Sequence, residues 1–357
     1  MVSRSRVLST IRPAIHGRPF PKLAVACKKC PFYGKPGVER IVVCAYRAVV
    51  VIEVMDKNLE SAQPLERKKP APARERGAHE TAFGYARDFL ENRFVYVVVS
   101  PRARGLSIGV NMNPDKRCDF DCVYCEVNRA TVGRESLLDV DAMAAELTRT
   151  IAFVREGRLR ERPSYRAMPD ELLQLRHVTL SGDGEPTLAP NFPEALQEVI
   201  HVRALNNSAF FKLVLVTNSI GLDLPAVQQG LKQFTKLDEI WAKLDGGTQA
   251  YLNRVNKPGA PFEKILSNIL LVARQRPVVI QSLFPAINGD EPPLEEIDQY
   301  AQRLLELKNA GAQISLVQIY SATRPTAHSE CGHLRLRELS HIAQRVREVS
   351  GLKAEVF

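Results

Sequence analysis

Residues 106–125 read LSIGVNMNPDKRCDFDCVYC, and the order of features in this stretch sets the reading of the whole chain. LSIGVNM (106–112) suits a strand, and Asn113-Pro114 breaks it, because the residue before a proline is driven out of regular pairing and the proline lacks an N–H. Three thiols follow at once, in CDFDCVYC (118–125), with the spacing C-x3-C-x2-C. In parallel α/β architectures, reactive groups gather on the loops that follow the strands. A cysteine loop in this place predicts that functional residues elsewhere also sit just after strands.

Working outward, FVYVVVS (94–100) is a β-branched run that precedes this strand. Further apolar strand candidates are HVTLSG (177–182), FKLVLVTN (211–218), EIWAKLD (239–245), PVVIQSLF (277–284) and QISLVQIY (313–320). Helical patterns lie between them, at 140–156, 192–204, 224–234, 262–274 and 293–310. Counted from Leu106, six strands occupy roughly 215 residues, about 35 per βα unit, the size of a right-handed crossover in a parallel barrel. The pattern predicts a partial (β/α)6 barrel spanning 81–357, with an open doubly wound sheet as the structural alternative.

Residues 1–80 read differently, as an irregular N-terminal extension with scattered Arg and Pro that ends in a charged Pro/Ala-rich linker at 64–80. Met55 opens MDKNLESAQ, so translation is expected to start there, with the upstream segment an artefact of gene calling. The net charge of +9 suggests a nucleic-acid partner until it is divided along the chain. Residues 1–90 hold 17 basic and 8 acidic side chains, and the other 267 residues balance at 32 of each. The globular part therefore has no overall basic footprint. No uninterrupted apolar run is long enough for a clean membrane span, and no secretory signal is read, so a cytoplasmic protein is expected.

Seven cysteines are too few and too unevenly grouped for a disulfide framework in a chain of this length. Three thiolates on eight residues hold three irons of a 4Fe-4S cluster and leave the fourth iron open. The alternative is a structural zinc completed by a distant ligand, although such sites more often use paired C-x2-C knuckles. Cys27 and Cys30 form one such pair, with Cys44 nearby, and are candidates for a small knuckle. Cys331 stands alone and reads as an ordinary thiol.

The 118–125 loop, with Tyr124 directly before the third cysteine, resembles the radical S-adenosylmethionine (SAM) superfamily. SGDGEPTL (181–188) resembles that superfamily's Gly-Gly-Glu-Pro motif after the second strand, with Asp183 in place of the first glycine of the pair. The resemblance implies a 4Fe-4S cluster on Cys118, Cys122 and Cys125, whose open iron chelates the amino and carboxylate groups of SAM. It implies SAM contacts from Tyr124, Gly182, Asp183, Gly184 and Glu185, and from Asn218, Lys243 and Asp245 at later strand ends, WAKLDGG resembling the fourth-strand signature. Arg324, beyond the sixth strand, is a candidate for an anionic substrate group. It further implies an electron donor such as flavodoxin or ferredoxin.

More closely, residues 93–129 with SGDGEPTL resemble a group of bacterial radical SAM proteins of undefined substrate, related to wyosine-type tRNA-modifying enzymes. The expected activity is reductive cleavage of SAM to a 5′-deoxyadenosyl radical. One alternative is a tRNA-modifying enzyme of the wyosine type, with tRNA as substrate. The other is a non-catalytic zinc-binding or RNA-binding module.

Overall fold

The computed structural model describes residues 24–26, 39–45, 48–54, 89–206, 211–326 and 328–357. The chain divides into two compact units, Met1–Arg76 and Gly77–Phe357. Within the first, the segment expected to be irregular contains three antiparallel strands, Ala24–Ala26, Glu39–Ala45 and Ala48–Val54, with the last in the centre. Its apolar, β-branched composition (IVVCA and AVVVIEV) accounts for the pairing. The knuckle reading of Cys27, Cys30 and Cys44 lies outside the described residues and side chains.

The second unit is built on β1 (Val95–Ser100), β2 (Gly105–Asn111), β3 (Leu175–Ser181), β4 (Lys212–Thr217), β5 (Glu239–Lys243), β6 (Val278–Leu283), β7 (Ile314–Tyr320) and β8 (Ala354–Val356). The sheet order is β8-β7-β6-β5-β4-β3-β2-β1. Strand β1 pairs antiparallel with β2, and every other neighbouring pair is parallel. The crossovers carry α1 (Val140–Arg155), α2 (Phe192–Leu205), α3 (Pro225–Leu231), α4 (Gln249–Val255), α5 (Phe262–Ala273), α6 (Leu294–Asn309) and α7 (Leu336–Ser350). Because the strand order never reverses, right-handed crossovers place the helices on one face, as in a barrel. The doubly wound alternative, which needs a reversal, is excluded.

Side chains alternate across each strand. On the helix side Ile108, Val110, Val178, Leu180, Leu213, Leu215, Ile240, Ile280, Val317 and Ile319 are all fully buried in one apolar core. Deleting such a side chain, as in Leu180→Ala, costs about 2–5 kcal/mol. The opposite face is polar: Ser107 hydrogen-bonds Thr179 at 2.8 Å, and Gln281 donates to Gln318 at 3.3 Å. An apolar patch of Val214, Trp241 and Val279, with Val216 and Leu316 packed against it, interrupts it. A parallel sheet with a polar inner face has that face turned to a cavity instead of a second layer of helices.

The two sheet edges approach without pairing. Arg104, in the β1–β2 turn, reaches Glu355 of β8 at 2.9 Å, and Arg102 stacks on Tyr320 of β7 with 4.2 Å from guanidinium to ring centre. The sequence reading did not include α4, α7 or β8. The α7 pattern is nonetheless amphipathic, burying Leu339, Ile342, Ala343 and Val346 before Gly351, at φ +63°, ends it.

Candidate functional site

Three crossover segments meet above the C-terminal ends of β2 to β6. The first is the cysteine loop, which docks by backbone pairing against the segment after α4: Asp121 N–H donates to Asn256 C=O at 3.0 Å, Val123 N–H to Val255 C=O at 2.8 Å, and Gly259 N–H to Asp119 C=O at 2.8 Å. Phe120 and Val123 bury beneath it, so their neighbours Cys118, Cys122 and Cys125 are left on the accessible side, all three partly exposed.

The second is the turn after β3. Gly182 has φ +141°, a conformation that side chains rarely adopt, and a Cβ there would lie 2.1 Å from Asn111 Oδ1. A Cβ on Gly184 would lie 1.9 Å from the Arg117 carbonyl, which accepts from Glu185 N–H at 3.0 Å. The glycines thus let this turn lie flat on the backbone that leads into the first cysteine. Asp183 is held by Asn111 on both sides, its N–H donating at 2.9 Å and its carboxylate accepting at 2.8 Å. Glu185 is buried and accepts four bonds, from Thr187 N–H and hydroxyl, Thr217 hydroxyl and Asn218 N–H. Burial raises its pKa, opposed by those donors. Its carboxylate is used to tie β3 to the end of β4, and Asn218 in turn donates to Asp119 at 2.6 Å.

The third is the end of β5. Asp245 is 2% exposed; it accepts from Tyr124 hydroxyl, from Asn256 Nδ2 at 2.8 Å and from Leu283 N–H at 2.8 Å, and pairs with Lys243 at 3.3 Å. Asn256 Nδ2 also reaches Tyr124 hydroxyl at 2.9 Å and Cys122 Sγ at 3.3 Å. Burial, then the charge of Asp245, push the Cys122 thiol up to about 12, and burial also pushes up Cys118. Lys243 is also raised: burial lowers its pKa, but Asp245 and then Tyr320 overcome this and hold it as the ammonium. Its Nζ lies 4.9 Å from the Tyr124 ring centre.

A cavity of about 270 Å³ joins these parts. Cys118, Cys122, Cys125, Tyr124, Gly182, Asp183, Gly184, Glu185, Asn218 and Lys243 line it, while Asp245 stands behind Lys243 and does not. Arg324 also lines it and pairs with Glu126 at 3.1 Å. Cys331 is not among the lining residues; it pairs with Ile287 in a two-residue ladder. Arg102, Arg129 and Tyr320 line the cavity and were not read from the sequence, nor was Asn256. Arg129, four residues past the third cysteine, donates to the Phe120 carbonyl at 2.5 Å and approaches Cys125 Sγ at 3.8 Å.

Residues 112–301 match the Radical SAM superfamily, a segment that holds all three parts of the site. The chain belongs to the radical SAM superfamily. It is an enzyme of that class, and membership carries the general requirement for a 4Fe-4S cluster, SAM and a source of electrons. Similar relatives carry the name UPF0026 protein. One from Helicobacter pylori J99 is 26% identical over 246 residues, 66% of this chain and 70% of the relative. One from Synechocystis is 30% identical over 179 residues, 49% of this chain and 57% of the relative. Among solved radical SAM structures, TYW1 with a lysine-pyruvate adduct bound has 16% identity and a TM-score of 0.48, covering 75% of this chain and 87% of that one. Histidine-tagged anSMEcpe with bound AdoMet has 14% identity and a TM-score of 0.44, covering 70% and 63%. Among the described residues no helix is long and apolar enough to cross a membrane.

Proposed function

We propose that Cys118, Cys122 and Cys125 hold a 4Fe-4S cluster and that SAM binds between it and the turn 182–185, to be cleaved reductively for action on a further substrate. The observation that carries this reading is that all three thiols and the glycine turn line one cavity at the strand ends. The donor set fits the cluster. Burial holds Cys118 and Cys122 as thiols, so taking up the cluster would release their protons. Among the described residues no group of three His, Cys, Asp or Glu converges to hold a single ion.

When bound, the cluster supplies the electron that splits SAM, giving the 5′-deoxyadenosyl radical that removes a substrate hydrogen atom. This chain's residues do the rest. The backbone edge at Gly182 and Asp183 would accept from the ammonium of bound SAM, and the Lys243 ammonium would attract its carboxylate. Asn218 orients the loop through Asp119. Tyr124 and Asp245 act by positioning: together with Asn256 they fix Cys122 from behind. We assign the catalytic unit to 81–357, with flavodoxin or ferredoxin as electron donor and the reducing cytoplasm as its compartment.

Anaerobic reconstitution tests the reading. The expected result is a brown protein with about four irons that releases 5′-deoxyadenosine from SAM under reduction, and a Cys122→Ala variant that folds but releases none. A colourless zinc-loaded protein would overturn it. Nucleoside profiles of tRNA from a deletion strain separate a tRNA substrate from others.

A further inference from the structure

Arg102 lies in the β1–β2 turn, at the opposite end of the strands from the cysteine loop, yet it lines the same cavity. It reaches there through the gap between the sheet edges, laid over Tyr320 at 4.2 Å. The other cations lining this cavity each have at least one partner. Lys243 has Asp245 at 3.3 Å, Arg324 has Glu126 at 3.1 Å, and Arg129 has the Phe120 carbonyl at 2.5 Å. Arg102 Nε is buried without an acceptor, as is Arg129 Nε, but Arg102 differs in that, among the described residues, no nitrogen of its guanidinium makes a hydrogen bond or ion pair. Glu126 and Tyr320 act on it only through space, while Arg324 adds like charge.

A half-buried guanidinium held by no hydrogen bond is costly to keep charged, and burial lowers its pKa accordingly. Its fork matches a carboxylate or phosphate bidentately, while the aromatic face of Tyr320 fixes its plane. We infer that Arg102 docks an oxyanion carried by the substrate, a carboxylate or a phosphate, inside the cavity where the reaction occurs. This rests on the cavity being the cofactor and substrate site proposed above. The substrate is then an anion whose charged group sits toward the β1–β2 turn and whose reacting hydrogen faces the cysteine loop.

Equilibrium dialysis of the reconstituted full chain with SAM, at constant ionic strength, tests this with radiolabelled inorganic phosphate and radiolabelled acetate as separate probes. The expected result is saturable binding of one equivalent of one of them, which distinguishes the phosphate from the carboxylate. In Arg102→Gln that binding weakens by about ten-fold or more, and in Arg102→Lys by less, because charge remains but the fork is lost. Labelled SAM should bind all three proteins within about two-fold of one another, since Arg102 carries no cofactor in this reading. Absence of saturable probe binding to the wild type, or equal binding to wild type and Arg102→Gln, overturns the inference. Should Arg102→Gln fail to fold, equal binding by wild type and Arg102→Lys does so. Failure of SAM to bind the wild type instead defeats the functional reading and leaves the oxyanion result to stand or fall by itself.

Discussion

Gly184 shows how one atom constrains the site. Its missing Cβ is the space through which the turn after β3 contacts the Arg117 carbonyl, one residue before Cys118. In Gly184→Ala, two backbones must separate because neither can rotate away, so the cysteine loop is displaced at its root. The expected outcome is a protein that folds but takes up less than about half the wild-type iron, since three thiolates must be placed together; iron and sulfide assays after reconstitution check this, and wild-type loading would refute it. The sequence marked Gly182 and Gly184 only through their resemblance to a SAM-contacting motif, and their packing against Asn111 and Arg117 is seen in the fold. The role of Glu185 was not legible either, because only the fold reveals that its carboxylate is already saturated by Thr187, Thr217 and Asn218. A carboxylate with four donors is an anchor, and Glu185→Gln, which offers one acceptor oxygen and two new donors, is expected to lower stability by about 1–3 kcal/mol in urea unfolding.

At the scale of elements, strands β1 to β7 were legible because each is an apolar run closed by a polar or breaking residue, and parallel strands buried on their helix side need such runs, whereas β8, only three residues long, was not. Nor was helix α4. Its seven residues are too few to show a period, and a glycine pair, Gly246-Gly247, precedes it. That short helix nevertheless delivers Asn256 to the cysteine loop, from 134 residues away in the chain. No local spacing encodes such a contact. Asn256 Nδ2 spans Cys122, Tyr124 and Asp245, so Asn256→Ala removes the donor that all three share. Backbone pairing at Asp121 and Val123 remains, so the loop should stay docked while Cys122 loosens. The reconstituted variant is expected to lose its visible absorbance to a chelator about ten-fold faster than wild type, a factor worth about 1.4 kcal/mol, with its far-ultraviolet circular dichroism unchanged. Equal rates would show that Asn256 does not support Cys122.

Across the whole unit, the polar inner face that makes room for chemistry also stores a pH dependence. His177, on β3 below the cavity, is 3% exposed, edge-on to Trp241 at 5.3 Å. Burial lowers its pKa to about 3, and Lys212 and Arg102 add repulsion in the same direction. The unfolded chain, by contrast, protonates this imidazole near pH 6.5. Between these values the unfolded state binds the extra proton, so the contribution of His177 to stability is full above about pH 6.5 and declines as the pH falls toward 3. The slope approaches about 1.4 kcal/mol per pH unit, on the order of a few kcal/mol in all. Carboxylates such as Asp238, which burial raises but Arg203 and backbone donors hold below the usual range, lose stability on acidification at lower pH. In the window from pH 6.5 to 5 the raised pKa values of buried Glu185 and Glu296 work in the opposite direction, so the contribution of His177 is read as a difference between variant and wild type. In His177→Phe, which keeps an aromatic ring beside Trp241 but cannot titrate, urea midpoints should fall less across that window than those of the wild type. Parallel profiles would mean that the cost of charging His177 is relieved by rearrangement of the inner face, in which case Arg102 and Lys212 do not press on it as their positions imply.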